Sequence, residues 1–211
     1  MEFPSLTHEM YDSGVLTITA ISAFVFYRMK SVNDVKAAAS AVRLQIKDIE
    51  RKISYLKKFC IGPNFTINES DMFNSSLIYD VNQWDAYHHK LFSHLSTDDY
   101  EMISNFYEGA SVIRGLQNDV KQFCLFSLQN RSVNYYNASF SVLKDDASTE
   151  QYQDAINSIG AKFDGVRVAS YIPKHYGLYL SKYLDDHKPL VGTTAFQRLE
   201  KLVNKKAFII V

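Results

Sequence analysis

The chain has 211 residues, and its 23 basic and 23 acidic residues give a formal net charge of zero. Its 8 glycines and 4 prolines are about half the usual frequency, which excludes collagen-like and low-complexity chains and argues against a turn-rich all-β fold. Two cysteines, Cys60 and Cys124, are too few for a disulfide scaffold, a cysteine-rich zinc site or an iron–sulfur cluster.

The zero net charge is the sum of four blocks of alternating sign. Residues 1–27 carry a net charge of −3, residues 28–60 carry +6, residues 61–160 carry −8 and residues 161–211 carry +5. Such blocks indicate either basic helices packed beside acidic ones or an anionic partner, such as lipid headgroups, for the basic segments. Solvated helix faces that pair only loosely are a third interpretation.

An uncharged, mostly apolar run of fifteen residues follows the short N-terminal segment 1–12. Tyr27 closes the run as an interfacial aromatic does, and Arg28 and Lys30 come directly after it. Because such basic side chains can reach towards the headgroups, the run predicts a single transmembrane anchor over residues 13–30 that binds the lipid bilayer.

The charges that flank this run predict its orientation. Its amino side is acidic and its carboxyl side is basic, so the positive-inside rule places a short N-terminus outside and the rest of the chain in the cytoplasm, at the inner (cytoplasmic) membrane. A cleaved signal peptide is disfavoured because residues 1–12 contain no Lys or Arg. The alternative is a soluble protein in which the run is the buried first helix of a bundle.

Past the anchor, apolar residues recur with alternating spacings of three and four, and no glycine or proline interrupts them. The pattern predicts a long helix over 31–60 with a coiled-coil-like seam. Mostly basic e positions disfavour a parallel homodimer, so we expect a partner helix from the acidic middle of the chain. Self-association or a separate protein partner through the stripe at 32–60 is the alternative. The stripe consists of Val32, Val35, Ala39, Val42, Ile46, Ile49, Ile53, Leu56 and Cys60.

Residues 31–211 together predict an all-α cytoplasmic domain, with about four to five further helices packed on the long one. A loop is predicted over 62–74, where Gly and Pro end the first helix. Residues 130–143 fit either a continued helix or a loop with a short element, and the tail 207–211 fits a strand or a segment tucked against the core. Apolar spacing places the further helices at 75–95, 98–128, 148–172, 174–187 and 194–206.

Two helix starts carry capping signals. Asp98 with Glu101 three residues later has the spacing of a capping box, and Thr194 is the expected cap of the last helix. Inside the 98–128 helix, Gly109 and Gly115 each cost about 1 kcal/mol relative to alanine. They therefore predict close approaches between helices.

One cluster of residues has the composition of a metal site, with carboxylate and imidazole groups at helical spacing. The Glu-x-x-His repeat of di-iron bundles is absent, and His88 lies on the apolar stripe beside Trp84. We therefore interpret His88 as a core or boundary histidine and predict no catalytic, cofactor or metal site. Glycine-rich phosphate loops are absent too. The candidate ligands are Asp85, His88, His89, His94, Glu101 and Glu108.

A group of tyrosines near the C-terminus alternates with lysines, a pattern that can bind single-stranded nucleic acid by stacking and charge. Helical spacing favours a half-buried helix face instead, so nucleic acid is not an expected partner. His187 follows two aspartates at the end of the same predicted helix, where we expect a solvated cap. The tyrosines are Tyr171, Tyr176, Tyr179 and Tyr183, and the lysines are Lys174, Lys182 and Lys188.

These patterns favour a single-pass, membrane-tethered α-helical protein that acts through protein–protein interaction, as a scaffold, sensor or regulator, without catalytic activity. The first alternative is a soluble helical-bundle binding module with a buried first helix. The second is a metal-dependent helical enzyme that uses the carboxylate and histidine cluster.

Overall fold

The computed structural model describes residues 8–60, 69–142, 148–165 and 174–205. In these ranges the chain is all-α, as predicted, with seven α-helices, one short 3₁₀ helix and no strand. The helices are α1 (His8–Cys60), α2 (Glu69–Asn74), α3 (Gln83–Leu91), α4 (Thr97–Val142), α5 (Thr149–Gly165), α6 (Lys174–Asp186) and α7 (Thr194–Asn204), and the 3₁₀ helix is Phe92–His94.

The chain forms two compact units that are discontinuous in sequence. Unit 1 consists of Met1–Lys47, Asn82–Ser104 and Leu190–Val211, and unit 2 consists of Asp48–Val81 and Asn105–Pro189. Each of the two long helices, α1 and α4, contributes residues to both units.

The heptad stripe of α1 is buried along most of its length. The seven apolar positions from Ala39 to Cys60 are between 0% and 4% exposed, whereas Val32 and Val35 are half-buried. The stripe is therefore covered within a single chain. The spacing of its residues every three or four positions puts them on one face of the helix, and that face is the one that packs.

In unit 1, the buried residues of α1 are Ala38, Ala39, Val42 and Ile46. Helix α7 also buries one whole face, and Trp84 and Leu91 of α3 are buried as well. Burying one large aliphatic or aromatic side chain contributes about 1.5–3 kcal/mol, so these faces supply most of the stability of the unit. The buried face of α7 consists of Ala195, Phe196, Leu199 and Leu202.

In unit 2, the buried face of α4 matches the apolar stripe read from the sequence. Leu180 and Leu184 of α6 and Met72 of α2 are fully buried too. Of the two glycines in α4, only Gly109 is at a close approach, because a Cβ added there would lie 3.3 Å from Nδ1 of His187. A Cβ at Gly115 would meet nothing within 4 Å, so that half of the prediction is wrong. The buried α4 residues of unit 2 are Phe106, Tyr107, Ala110, Ile113, Gln117, Val120, Cys124 and Ser127.

The predicted helix over 75–95 is wrong in its first part, because residues 75–81 are not helical and α3 begins at Gln83. Gln117 of α4, fully buried, accepts a hydrogen bond from the Ile78 N–H (3.1 Å) and donates to the Ser75 hydroxyl (3.1 Å) and the Ser76 carbonyl (2.9 Å). Side chains thus replace the partners that helical hydrogen bonding would have supplied.

Basic side chains complete the support of this segment. Lys52 of α1 donates to the Leu77 carbonyl (3.0 Å), Arg114 donates to the Tyr79 carbonyl (2.8 Å), and Lys121 donates to the Ser75 carbonyl. A non-helical backbone whose polar groups are satisfied in this way is stable where an unsatisfied one is not. Leu77, Ile78 and Val81 have the spacing of a helical stripe, but the segment that contains them is not helical.

The predicted loop over 62–74 is also wrong in its last part, since α2 occupies Glu69–Asn74. Asn82, for which no cap was predicted, caps α3 by accepting from the Trp84 and Asp85 N–H groups. The two caps that were predicted both shift, and at the start of α4 it is Ser96 rather than Asp98 that accepts from the Asp99 N–H.

At the last helix the cap is Thr193, one residue before the predicted Thr194. Its hydroxyl accepts from the Phe196 N–H (3.3 Å), while Thr194 is the first helical residue and donates to Asp99 (3.3 Å). Helix α4 also continues through Val142. Of the two predicted alternatives for residues 130–142, the continued helix is therefore the one observed. Residues 143–147 and the tail 207–211 lie outside the described residues.

We expect Gln117→Ala to lower the free energy of unfolding by about 2–3 kcal/mol, because it leaves the Ile78 N–H and the Ser76 carbonyl without their partner. The adjacent Asn118→Ala, which removes an exposed amide, should change it by less than about 0.5 kcal/mol. Urea unfolding followed by circular dichroism measures both. Equal effects of the two substitutions would contradict the role given to Gln117.

Candidate functional site

The apolar run at the start of α1 is bare. Every residue from Val15 to Arg28 is exposed, including large side chains such as Phe26 (71% exposed) and Tyr27 (72%). By length and composition, α1 is the one helix in the described part of the chain that could cross a membrane. The soluble-bundle alternative requires this segment to be buried. Within the single chain it is exposed.

Local contacts reduce the polarity of this segment. Thr19 donates its hydroxyl proton to the Val15 carbonyl (2.8 Å), so the hydroxyl does not need water as a partner. At the carboxyl end, the Arg28 guanidinium lies 5.8 Å from the centroid of the Phe24 ring. A cation over an aromatic face is stabilised by the quadrupole of the ring, which suits a charge at the edge of an apolar environment.

Directly after Tyr27, unit 1 contains two adjoining open pockets. The larger, of about 350 Å³, is lined by Lys30 of α1, Lys90 of α3 and His94, among others. The smaller, of about 110 Å³, is lined by Arg28, Lys36, His94 and also Lys205, the residue that follows α7. The linings of the two pockets share Ser31, Val35 and His94, and the two adjoining pockets together are called here the basic pocket.

The basic pocket is strongly positive. Five lysine and arginine side chains line it, against one carboxylate, Asp34. Burial, together with the positive charges of Lys205 and Arg198, lowers the pKa of His94 below its ordinary value. Arg198 also donates to the His94 carbonyl (3.3 Å). Cations therefore surround the His94 imidazole, an arrangement suited to an anionic ligand.

The histidine cluster is not a metal centre in the described residues, where no group of three or more His, Cys, Asp or Glu side chains is placed to hold an ion. Asp85, His89, Glu101 and Glu108 are exposed. His88 is half-buried, with Nδ1 3.1 Å from the Trp84 carbonyl.

The ring of His88 belongs to an aromatic group. It lies 6.1 Å from the Trp84 ring and 6.5 Å from the Tyr100 ring, centroid to centroid. The Trp84 indole N–H donates to the Ser104 hydroxyl (3.1 Å). His88 therefore packs as a boundary residue of unit 1, as interpreted from its place on the apolar stripe.

Cys60 and Cys124 are both buried, and neither forms a disulfide. Burial raises the pKa of the Cys60 thiol to about 12, so it stays protonated at physiological pH. A protonated thiol is neither a nucleophile nor a metal ligand, and Cys60 is a small apolar residue of the α1 stripe.

His187 does not act as the solvated cap predicted for it. Its ring lies 4.9 Å from that of Phe106, and its Nε2 is buried without a hydrogen-bond partner among the described residues. Burial, helped by the charge of Lys57, lowers the pKa of His187 to about 4. The signal for this contact in the sequence was Gly109, whose missing side chain leaves room for the ring.

The tyrosines of α6 divide between two environments. Tyr176 packs on Phe123 with ring centroids 5.1 Å apart, whereas Tyr179 and Tyr183 are exposed. Tyr171 lies outside the described residues. The half-buried helix face that we predicted therefore holds for Tyr176 alone.

Comparison with known proteins found no matching family model, no matching curated protein and no matching solved structure. The bare apolar segment and the basic pocket are thus argued from this chain alone. Sequence reasoning missed the pocket, since Lys90 lies on α3 and Lys205 follows α7, and no local pattern reveals that they are close together.

We expect the stability of the protein to fall as the pH decreases from about 6.5 to about 4. Unfolded His187 has an ordinary pKa near 6.5, while the folded residue has a pKa of about 4. Between these values the unfolded state binds more protons, so the contribution is complete above 6.5 and is lost on acidification. The loss should be at most about 3 kcal/mol.

Urea unfolding at several pH values, for the natural chain and for His187→Gln, isolates this contribution from that of the carboxylates. The substituted chain should show the weaker pH dependence between pH 4 and pH 6.5. Identical slopes for the two chains would contradict the burial of a neutral His187.

Proposed function

We propose that this chain is a single-pass, membrane-tethered α-helical protein that acts by binding other proteins, as a scaffold, sensor or regulator, rather than by catalysis. The observation that carries the proposal is the exposed apolar segment Val15–Tyr27, which continues without a break into a packed helix. A contiguous apolar surface of this kind is rare on soluble monomers and is typical of an interaction with a membrane or a protein.

The length of the segment suits a bilayer. The fifteen uncharged residues 13–27 span about 22 Å at a rise of about 1.5 Å per residue, and the side chains of Arg28 and Lys30 extend the effective span towards the hydrocarbon thickness of about 30 Å. Tyr27, Arg28 and Lys30 then fall at the level of the headgroups, where aromatic and basic side chains are favoured.

The flanking charges support one orientation. Acidic residues precede the segment and basic residues follow it, which favours an external N-terminus and a cytoplasmic body at the inner membrane. The five cations of the basic pocket lie on the cytoplasmic side in this arrangement.

A surface for protein partners is available on α4. The heptad stripe at 32–60 is mostly buried within the chain, so it offers little area to a second molecule. By contrast, the distal part of α4 exposes apolar residues at heptad-like spacing, which is how a helix presents itself to a partner helix. They are Phe126, Val133, Tyr136 and Phe140.

We expect the full chain, expressed in bacterial cells, to float with the membrane fraction and to resist a carbonate wash. Ile18→Lys with Ile21→Lys should move most of it to the soluble fraction, because each charge near the centre of the bilayer costs about 2.5–3.5 kcal/mol. The matched control is Leu44→Lys with Tyr55→Lys, which alters two exposed apolar residues of α1 outside the segment. Recovery of the unsubstituted chain in the soluble fraction at physiological salt would refute the proposal.

Orientation is tested by protease added to spheroplasts of cells that carry an epitope tag at either end of the chain. The N-terminal tag should be digested, and the C-terminal tag should survive until the membrane is disrupted. The reverse pattern would leave the tether intact but refute the cytoplasmic placement of the body.

A further inference from the structure

The basic pocket begins where the proposed membrane span ends. Lys30 is three residues past Tyr27, or about 5 Å along the helix, and Lys36 is about 13 Å past it. The headgroup layer of one leaflet is roughly 5–8 Å deep. The end of the pocket near Lys30 is therefore at the depth of lipid phosphates if the span lies as proposed above, whereas Lys36 lies beyond the headgroup layer.

The cations of the pocket come from three separate parts of unit 1. Arg28, Lys30 and Lys36 follow one another on α1, while Lys90 is in the last turn of α3 and Lys205 follows α7. Only folding brings Lys90 and Lys205 close to the cations of α1. The mutual repulsion of these charges raises the free energy of the folded state, and a bound anion would offset it.

Polar and apolar side chains are arranged around these cations in a way that suits a phosphodiester. Ser31 and Ser93 add hydroxyl donors to the larger pocket, and His94 adds an imidazole shared by both pockets. Val35 and Tyr27 provide apolar wall. Lysine and arginine are the usual partners of phosphate, and a volume of about 350 Å³ is within the range of small-ligand sites.

The positive charge also selects among lipid headgroups. A zwitterionic headgroup would bring its own cation close to Lys30, Lys90 and Lys205, whereas an anionic one would not. The single carboxylate, Asp34, leaves the excess positive charge in place.

We propose that the basic pocket, through Arg28, Lys30, Lys36, Lys90 and Lys205, binds the phosphodiester headgroup of an anionic phospholipid from the membrane that holds the chain. The site makes the cytoplasmic unit sensitive to lipid composition, since Lys90 lies on α3 and Lys205 directly follows α7, both outside the span. This inference rests on the proposed membrane tether, and it assigns the tether a lipid specificity.

The lowered pKa of His94 offers a direct probe of occupancy. A phosphate bound beside the ring offsets the cations that lower its pKa, so binding should raise that pKa. The full chain in neutral detergent micelles is titrated with phosphatidylglycerol, with phosphatidylcholine or with inorganic phosphate, and the His94 ring signal is followed by NMR. His94→Asn identifies the signal.

The test substitution is Lys90→Gln with Lys205→Gln, which removes two cations of the pocket and none from the span or its flank. The matched control is Lys58→Gln with Lys201→Gln, which removes two exposed lysines outside both pockets and changes the net charge equally. Lys90→Arg with Lys205→Arg should rescue binding, which distinguishes lost charge from lost folding.

We expect saturable binding of phosphatidylglycerol that is about tenfold weaker in Lys90→Gln with Lys205→Gln and unchanged within about twofold in the control. Phosphatidylcholine should not saturate the site. Equal weakening in test and control would overturn the proposal in favour of general charge attraction. The absence of saturable binding would overturn it as well, and binding of inorganic phosphate as tightly as the lipid would show that the pocket takes free phosphate.

Flotation with pure phosphatidylcholine vesicles separates this proposal from the tether. Both the unsubstituted chain and Lys90→Gln with Lys205→Gln should float, because the span needs no anionic lipid. If neither floats, the tether itself fails. If both float and phosphatidylglycerol has no effect on His94, only the lipid site fails.

Discussion

Burial of one face of α1 is the constraint on which the other elements depend. The stripe from Ala39 to Cys60 supplies core residues to each of the two compact units, and its residues are almost completely removed from water. The same 53-residue helix carries, without a break, the bare segment before Arg28. One continuous helix therefore contains both a surface that folding covers and a surface that folding leaves uncovered, and hydrophobic burial accounts for the first only.

The basic pocket follows from this continuity. Helical geometry determines how far Arg28, Lys30 and Lys36 lie from the end of the apolar segment, and the packing of α3 and α7 in unit 1 brings Lys90 and Lys205 to the same place. Concentrated like charge is unfavourable in the folded state, so its presence beside an apolar span is better explained by a ligand than by stability. In the proposed membrane tether, the basic pocket is the feature through which unit 1 would respond to the lipid composition of the membrane.

Local pattern predicted the fold class, the heptad face of α1 and the apolar stripe of α4, because helical periodicity depends only on spacing along the chain. It failed over residues 75–81, where Leu77, Ile78 and Val81 have helical spacing but Gln117, 39 residues after Ile78, takes the backbone hydrogen bonds. Caps shifted for a related reason. Runs such as Ser96–Thr97–Asp98–Asp99 offer several capable side chains, and only the final geometry selects one.

The sequence by itself determined that the chain is helical, that one long helix has a packing face, and that an uncharged run with acidic and basic flanks precedes it. These properties depend on residues within one or two helical turns. Only the tertiary structure decided that this run is left bare, that His187 packs against Phe106 rather than facing water, and that Lys90 and Lys205 join the cations of α1. Exposure and electrostatic proximity are relations between residues about 60 to more than 150 positions apart, such as Lys30 with Lys90 and Lys36 with Lys205, and no local spacing encodes them.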